Sequence, residues 1–138
     1  KEQALAYLTL QYSDNLEKHL HFEKICDSLR LVMLDQKIFP KAGVRVRAYP
    51  ISSYSIADGH SENAFIDMIL RIGMGRSEDQ KLKTGEMLMM ELETNVEKLL
   101  KTGFLALALE IIEIDSKFSW KMNPIHKRIS AIKKHGKK

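Results

Sequence analysis

Residues 6–12, AYLTLQY, place Ala6, Leu8, Leu10 and Tyr12 on one parity and Tyr7, Thr9 and Gln11 on the other, the period of a half-buried strand. Asp14 and Glu17 then suit a helix start, and Leu20, Phe22, Ile25, Cys26, Leu29 and Met33 form an apolar stripe that predicts a helix to about Leu34. Beyond Pro40 and Gly43, Val44, Val46 and Ala48 alternate with Arg45, Arg47 and Tyr49, a second strand with two arginines on one face. The same order repeats downstream. Residues 64–72 alternate as a strand, Leu82, Gly85, Met89, Leu92, Val96 and Leu99 share a helix face running to about Lys101, and residues 104–114, FLALALEIIEI, form a strongly apolar strand. Asn123 as N-cap and Pro124 at the first helical position open a short final helix through Ile125, Ile129 and Ile132.

Two successive β-α-β units, over about residues 6–50 and 64–114, predict an α+β fold with a four-stranded sheet and both helices on one face, because parallel crossovers are right-handed. The opposite face is then uncovered and is expected to carry Leu and Ile side chains, an apolar patch that a closed homo-oligomer would bury. The 138 residues fit one domain, residues 1–138, with 44% hydrophobic and 29% charged content of the ordinary globular kind. No apolar run is long enough to span a bilayer and no signal-peptide pattern opens the sequence, so the expected location is cytoplasmic, with no membrane partner.

The sequence pI of about 9.1 belongs to one end of the chain. Residues 126–138 hold six of the 22 Lys and Arg and none of the 18 acids, which leaves 16 basic against 18 acidic residues before them. A basic tail without interleaved aromatics is weak support for nucleic acid, which is not the expected partner. The single cysteine, Cys26, has no disulfide mate and lies on the apolar stripe as a buried structural thiol. His19 and His21 face different ways on a helix and make no metal pair, and there is no Cys/His cluster, HExxH, P-loop or GxSxG, so metal catalysis and nucleotide hydrolysis are not expected. Met87, Met89 and Met90 fit core or subunit contacts, and His60 sits in a polar loop.

The stretch GMGRSEDQKL carries the first candidate chemistry. Ser77 with Gln80 fits a capping box, so a helix starts there and Arg76 stands beside its N-terminus. A guanidinium next to such an end suits carboxylate or phosphate, with a solvated loop arginine as the alternative.

The runs IFPKAGVRVRAYP, ADGHSENAFIDMILRIGMGRS and TGEMLMMELE, with SDNL and LALALEI outside them, resemble the carboxymethyl-hydroxymuconate isomerase family, a branch of the tautomerase superfamily. The resemblance runs from about Ala6 to Ile129. It implies a homotrimer of duplicated β-α-β subunits and a cofactor-independent isomerase of aromatic (homoprotocatechuate) catabolism, in which a base moves a proton on an unsaturated dicarboxylate while arginines hold the carboxylates. Arg45 and Arg76 fall on the family's functional arginines, and Arg47 is their neighbour in substrate binding. The family's base is an amino-terminal proline, whose free secondary amine can accept a proton. Its position here is Ala6, with residues 1–5 before it, so the side chain differs and the nitrogen is an amide. A trimeric carboxylate-binding homologue with impaired catalysis is the alternative reading.

Overall fold

A computed structural model describes residues 5–135, and the side chains of residues up to 132. Its elements are β1 (Ala6–Ser13), α1 (Phe22–Asp35), β2 (Val44–Ile51), β3 (Ala64–Gly73), α2 (Glu78–Asn95), the short α3 (Glu97–Leu100), β4 (Leu105–Ile114) and α4 (Ile125–His135). The strands form one sheet in the order β2-β1-β3-β4. Each β-α-β half pairs its strands in parallel, Ala6 against Val44 and Ala64 against Leu105, and β1 meets β3 antiparallel with Ala6 opposite Ile72. The duplicated α+β architecture and the final helix stand as expected.

Why the helices lie on one face follows from strand parity. Leu8 and Leu10 of β1, Ile66, Met68, Leu70 and Ile72 of β3 are all at most 1% exposed. On α1 the matching residues are Phe22, Ile25, Leu29 and Met33, and on α2 they are Leu88 and Leu92. Full burial of one such side chain stabilises the fold by about 1.5–3 kcal/mol, so this layer dominates stability.

Three expectations need correction. The first helix begins later than Asp14: residues 14–16 form a 3-10 turn, Tyr12 donates its hydroxyl hydrogen to Glu17 Oε2 at 2.7 Å, and His21 caps α1 by accepting from the Lys24 amide. On α2 the buried line is Thr84, Leu88, Leu92 and Val96, while Leu82 is 57% exposed. The i, i+4 spacing of those four follows one face, which the apolar pattern alone misassigned because one member is a threonine. Cys26 is only half-buried. Burial and the neighbouring Glu23 carboxylate push its thiol up, which keeps it protonated and poorly nucleophilic.

The open face departs most. It carries Tyr7, Thr9 and Gln11, then Arg45, Arg47 and Tyr49, then Phe65, Asp67, Ile69 and Arg71, then Ala106, Ala108, Glu110 and Ile112. Its aliphatic side chains larger than alanine are Ile69 and Ile112, not the expected row of Leu and Ile. The strand-forming run LALALEIIEI divides by parity: Leu105, Leu107, Leu109 and Ile111 turn to the helices, and the alanines with Glu110 face out. Among the described residues no helix is long and apolar enough to cross a membrane.

Candidate functional site at the Ala6 end of the sheet

The start of β1, the start of β2 and the end of β3 meet at one end of the sheet, where Ala6 lies between Val44 and Ile72. Ala6 is fully buried and Leu5 is 4% exposed. The Gly73 amide donates to the Leu5 carbonyl at 3.2 Å, so the peptide group that acylates the Ala6 nitrogen is itself part of the strand pairing. An amide nitrogen shares its lone pair with the carbonyl and cannot serve as a base near neutral pH.

Gly73 ties this peptide to Arg76. Arg76 Nη1 donates to the Gly73 carbonyl at 3.0 Å and Nη2 to the Ile38 carbonyl at 2.9 Å. Its guanidinium carbon stands 4.8 Å from the centre of the Phe39 ring, and the residue is 8% exposed. Burial lowers its pKa, since desolvation disfavours the charged form, and the two carbonyls and the ring face offset that cost. The capping box is present in full: Ser77 Oγ accepts from the Gln80 amide and Gln80 Oε1 from the Ser77 amide. Arg76 therefore folds back beneath the loop that precedes α2, where it braces the Ile38–Phe39 segment against the end of β3.

Arg45 and Arg47 sit differently. Both are exposed on the open face, and both place the guanidinium over one ring: Arg45 Cζ is 4.6 Å and Arg47 Cζ 5.2 Å from the centre of Tyr7. The register sets Tyr7 directly opposite Arg45 on one side and Arg71 on the other. No ion pair joins Arg45, Arg47 or Arg71 to an acid among the described residues. Cations gathered on an aromatic ring, none of them paired with an acid among the described residues, can hold an anion, and planar forks suit carboxylates in particular. Tyr7 and Arg71 were missed in the sequence. Both lie on the same parity as the two arginines, but only the pairing register brings them side by side.

The structure therefore brings Ala6 and Arg76 together through Gly73, and puts Arg45 and Arg47 on the strand beside them. It separates His60 and Tyr54 from that end. His60 stacks on Phe104 at 4.5 Å between ring centres and accepts through Nδ1 from the Glu62 amide, and Tyr54 meets Phe65 edge-on at 6.1 Å. Phe65 lies at the far end of β3 and Phe104 just before β4, roughly 23 Å and 30 Å along the strands from the level of Ile72. Within one chain neither ring reaches Ala6.

Residues 6–129 match the family model of 5-carboxymethyl-2-hydroxymuconate isomerase, so the match begins at Ala6 itself. The chain is 30% identical over 122 residues to the 5-carboxymethyl-2-hydroxymuconate Delta-isomerase of Escherichia coli, covering 88% of this chain and 97% of that protein. A solved 5-carboxymethyl-2-hydroxymuconate isomerase from Deinococcus radiodurans R1 is 37% identical with a TM-score of 0.86, over 92% of this chain and 96% of the other. A second solved structure of a 5-carboxymethyl-2-hydroxymuconate delta-isomerase is 28% identical with a TM-score of 0.85, over 92% and 94%. At 16% identity and a TM-score of 0.56, a fused 4-OT symmetric trimer shares the fold alone, over 78% of this chain and 86% of that one.

Proposed function

Since the chain belongs to the 5-carboxymethyl-2-hydroxymuconate isomerase family, we propose that it is a cofactor-independent isomerase of unsaturated di- or tricarboxylates from aromatic catabolism, working as a homotrimer in the cytoplasm. The observation that carries this reading is that the Ala6 position, Arg76 and Arg45 share one end of the sheet, Ala6 and Arg76 on its buried side and the Arg45–Arg47 pair on its open face. Arg45 and Arg47 receive carboxylates from the open face, and Arg76 sets the loop that frames the position of the base. Moving a double bond along such a substrate needs one group to take a proton from one carbon and return it to another. Cations at the carboxylates stabilise the dienolate charge that develops between those two steps.

The proton carrier belongs at Ala6, and there the chain favours a second reading. With the Leu5–Ala6 peptide intact the nitrogen is an amide engaged through Leu5 with Gly73, and the chain then binds carboxylate without efficient turnover. Cleavage after Leu5 would free a primary amine of pKa about 8, partly neutral at pH 7 and competent as a base. An ultraviolet assay of isomerisation on protein whose intact mass is known separates the two readings. Turnover by the cleaved form and a rate lower by about 100- to 10,000-fold in the uncleaved form supports the isomerase assignment. Carboxylate binding with no turnover in either form supports the second reading, and no carboxylate binding at all refutes both.

A further inference from the structure

The segment that follows β4 crosses the Ala6 end of the sheet as a strap. Ile114 ends β4 opposite Gly73, and Asn123 Nδ2 donates at 2.9 Å to the carbonyl of Ala42, two residues before β2 starts opposite Ala6. With the strand order β2-β1-β3-β4, residues 115–123 therefore span three strand spacings, about 14 Å, over the ends of β3 and β1. Both ends of the strap are fastened: Asp115 accepts from the Lys117 amide at 3.0 Å, and Asn123 Oδ1 from the Ile125 amide at 3.1 Å. Phe118, Trp120 and Met122 point to solvent. The residues between them, Ser119 and Lys121, line a cleft with Leu5 and Gly73. Only about 10 Å³ of it is open, room for roughly one water, and Leu5, 4% exposed, is packed beside that space.

What Leu5 does there identifies the place. Its carbonyl oxygen accepts from the Gly73 amide at 3.2 Å and is one carbon away from the Ala6 nitrogen, so it marks where an acceptor can sit beside the base position. No acid among the described residues lines the cleft, and Lys121 makes no ion pair among them. We propose that the cleft is a carboxylate subsite in which the Leu5 carbonyl stands in for a substrate oxygen. Once the chain up to Leu5 is removed, a carboxylate takes its place, accepts from the Gly73 amide and the Ser119 hydroxyl, and pairs with Lys121. A buried N–H without an acceptor is costly, so the Gly73 amide that Leu5 leaves behind favours the incoming anion. Lys121 then holds one end of the substrate at the Ala6 nitrogen, while Arg45 and Arg47 take another from the open face. The inference rests on the isomerase reading and deepens it: it adds a substrate contact on the strap and names Leu5 as the group that fills the subsite while the Leu5–Ala6 peptide is intact.

Calorimetric titration with muconate, an unsaturated dicarboxylate, tests this on the full chain and on residues 6–138, which keep the whole span of the family match. In residues 6–138, Lys121→Gln should weaken muconate binding about tenfold, as expected for a lost charge-assisted contact, and Lys121→Arg should keep most of the affinity. In the full chain, where Leu5 holds the place and the ammonium acts only as a screened surface charge, Lys121→Gln should cost about twofold. Leu5→Gly opens the place without shortening the chain, and the loss on Lys121→Gln in that background should lie between the two. An equally large loss in the unaltered full chain would make Lys121 part of a general surface attraction and overturn the subsite. No loss in either opened form, with Arg45→Ala still weakening muconate binding, would overturn the subsite and leave the isomerase reading standing. Muconate binding by none of these chains would overturn both.

Discussion

On the helix side of the sheet Leu8, Leu10, Ile66 and Leu70 are sealed from solvent completely, while one residue along the same strands Gln11, Asp67, Ile69 and Arg71 stand exposed. A strand gives its two faces to different tasks because the side-chain period is two, and a shift of one residue would exchange them. Here one parity holds the fold together by apolar burial, and the other carries charge and aromatic rings. The two groups of arginines repeat the contrast on a smaller scale. Arg76 belongs to the buried side and is spent partly on the backbone carbonyls of Gly73 and Ile38; Arg45 and Arg47 belong to the open side and are gathered on Tyr7.

The largest effect should come from cutting into the sealed face. Leu70→Ala should cost about 2–5 kcal/mol of stability, and Gln11→Ala on the open face no more than about 0.5 kcal/mol, measured by urea unfolding. Equal losses would break the contrast between the faces. Next, Arg76→Ala should lower stability by about 1.5–3 kcal/mol by removing charge-assisted bonds, and weaken dicarboxylate binding as the loop shifts. Arg45→Ala should weaken dicarboxylate binding by a comparable amount in calorimetric titration and leave the unfolding midpoint nearly unchanged. A stability loss from Arg45→Ala equal to that from Arg76→Ala would erase the distinction between bracing and binding arginines.

Smaller effects sharpen the comparison. Tyr12, on the sealed parity, has its hydroxyl pushed up to about 12 by burial and by the hydrogen bond and charge of Glu17. Its folded pKa lies above the unfolded value of 10.0, so the unfolded chain loses its proton first. The stabilisation is whole below pH 10 and is lost as the pH rises towards 12, by about 1–2 kcal/mol once partial solvent screening is allowed for. Tyr12→Phe should flatten that part of the stability profile, and an unchanged slope would put the titrating group elsewhere. The least costly change is Tyr7→Leu, which removes the ring under two guanidiniums at about 0.5–1 kcal/mol each. It should weaken carboxylate binding several-fold with little effect on folding, and no change in affinity would remove Tyr7 from the site.

How much of this was legible in the sequence depended on the range of the interaction. Strand parity, the Ser77–Gln80 capping box and the Asn123 cap are local, decided within a few residues, and the structure keeps them. The true start of α1 was hidden because Tyr12–Glu17 bonding and a 3-10 turn compete with the early helix signals. The polar character of the open face was implicit in the arginines of VRVRAYP but was masked by the apolar run of β4, whose alternate alanines carry no strong signal. Tyr7 between Arg45 and Arg71, and Arg76 against the Ile38 carbonyl, join residues more than thirty positions apart. No local pattern encodes such a register. The candidate arginines themselves came from family resemblance, and the structure adds the difference in how each is held.

The most direct test of the central claim, that the Ala6 end of the sheet is a proton-transfer site framed by arginines, is the isomerisation rate of a chain in which residues 1–6 are replaced by one free amino-terminal proline. Measured on a dienol di- or tricarboxylate against the chain with an intact Leu5–Ala6 peptide, the rate should rise by a factor of about 100 or more, and Arg45→Ala in the proline variant should abolish most of the gain. Equal rates for the two chains, with Leu5–Ala6 shown intact by mass, would contradict the claim and place the base elsewhere.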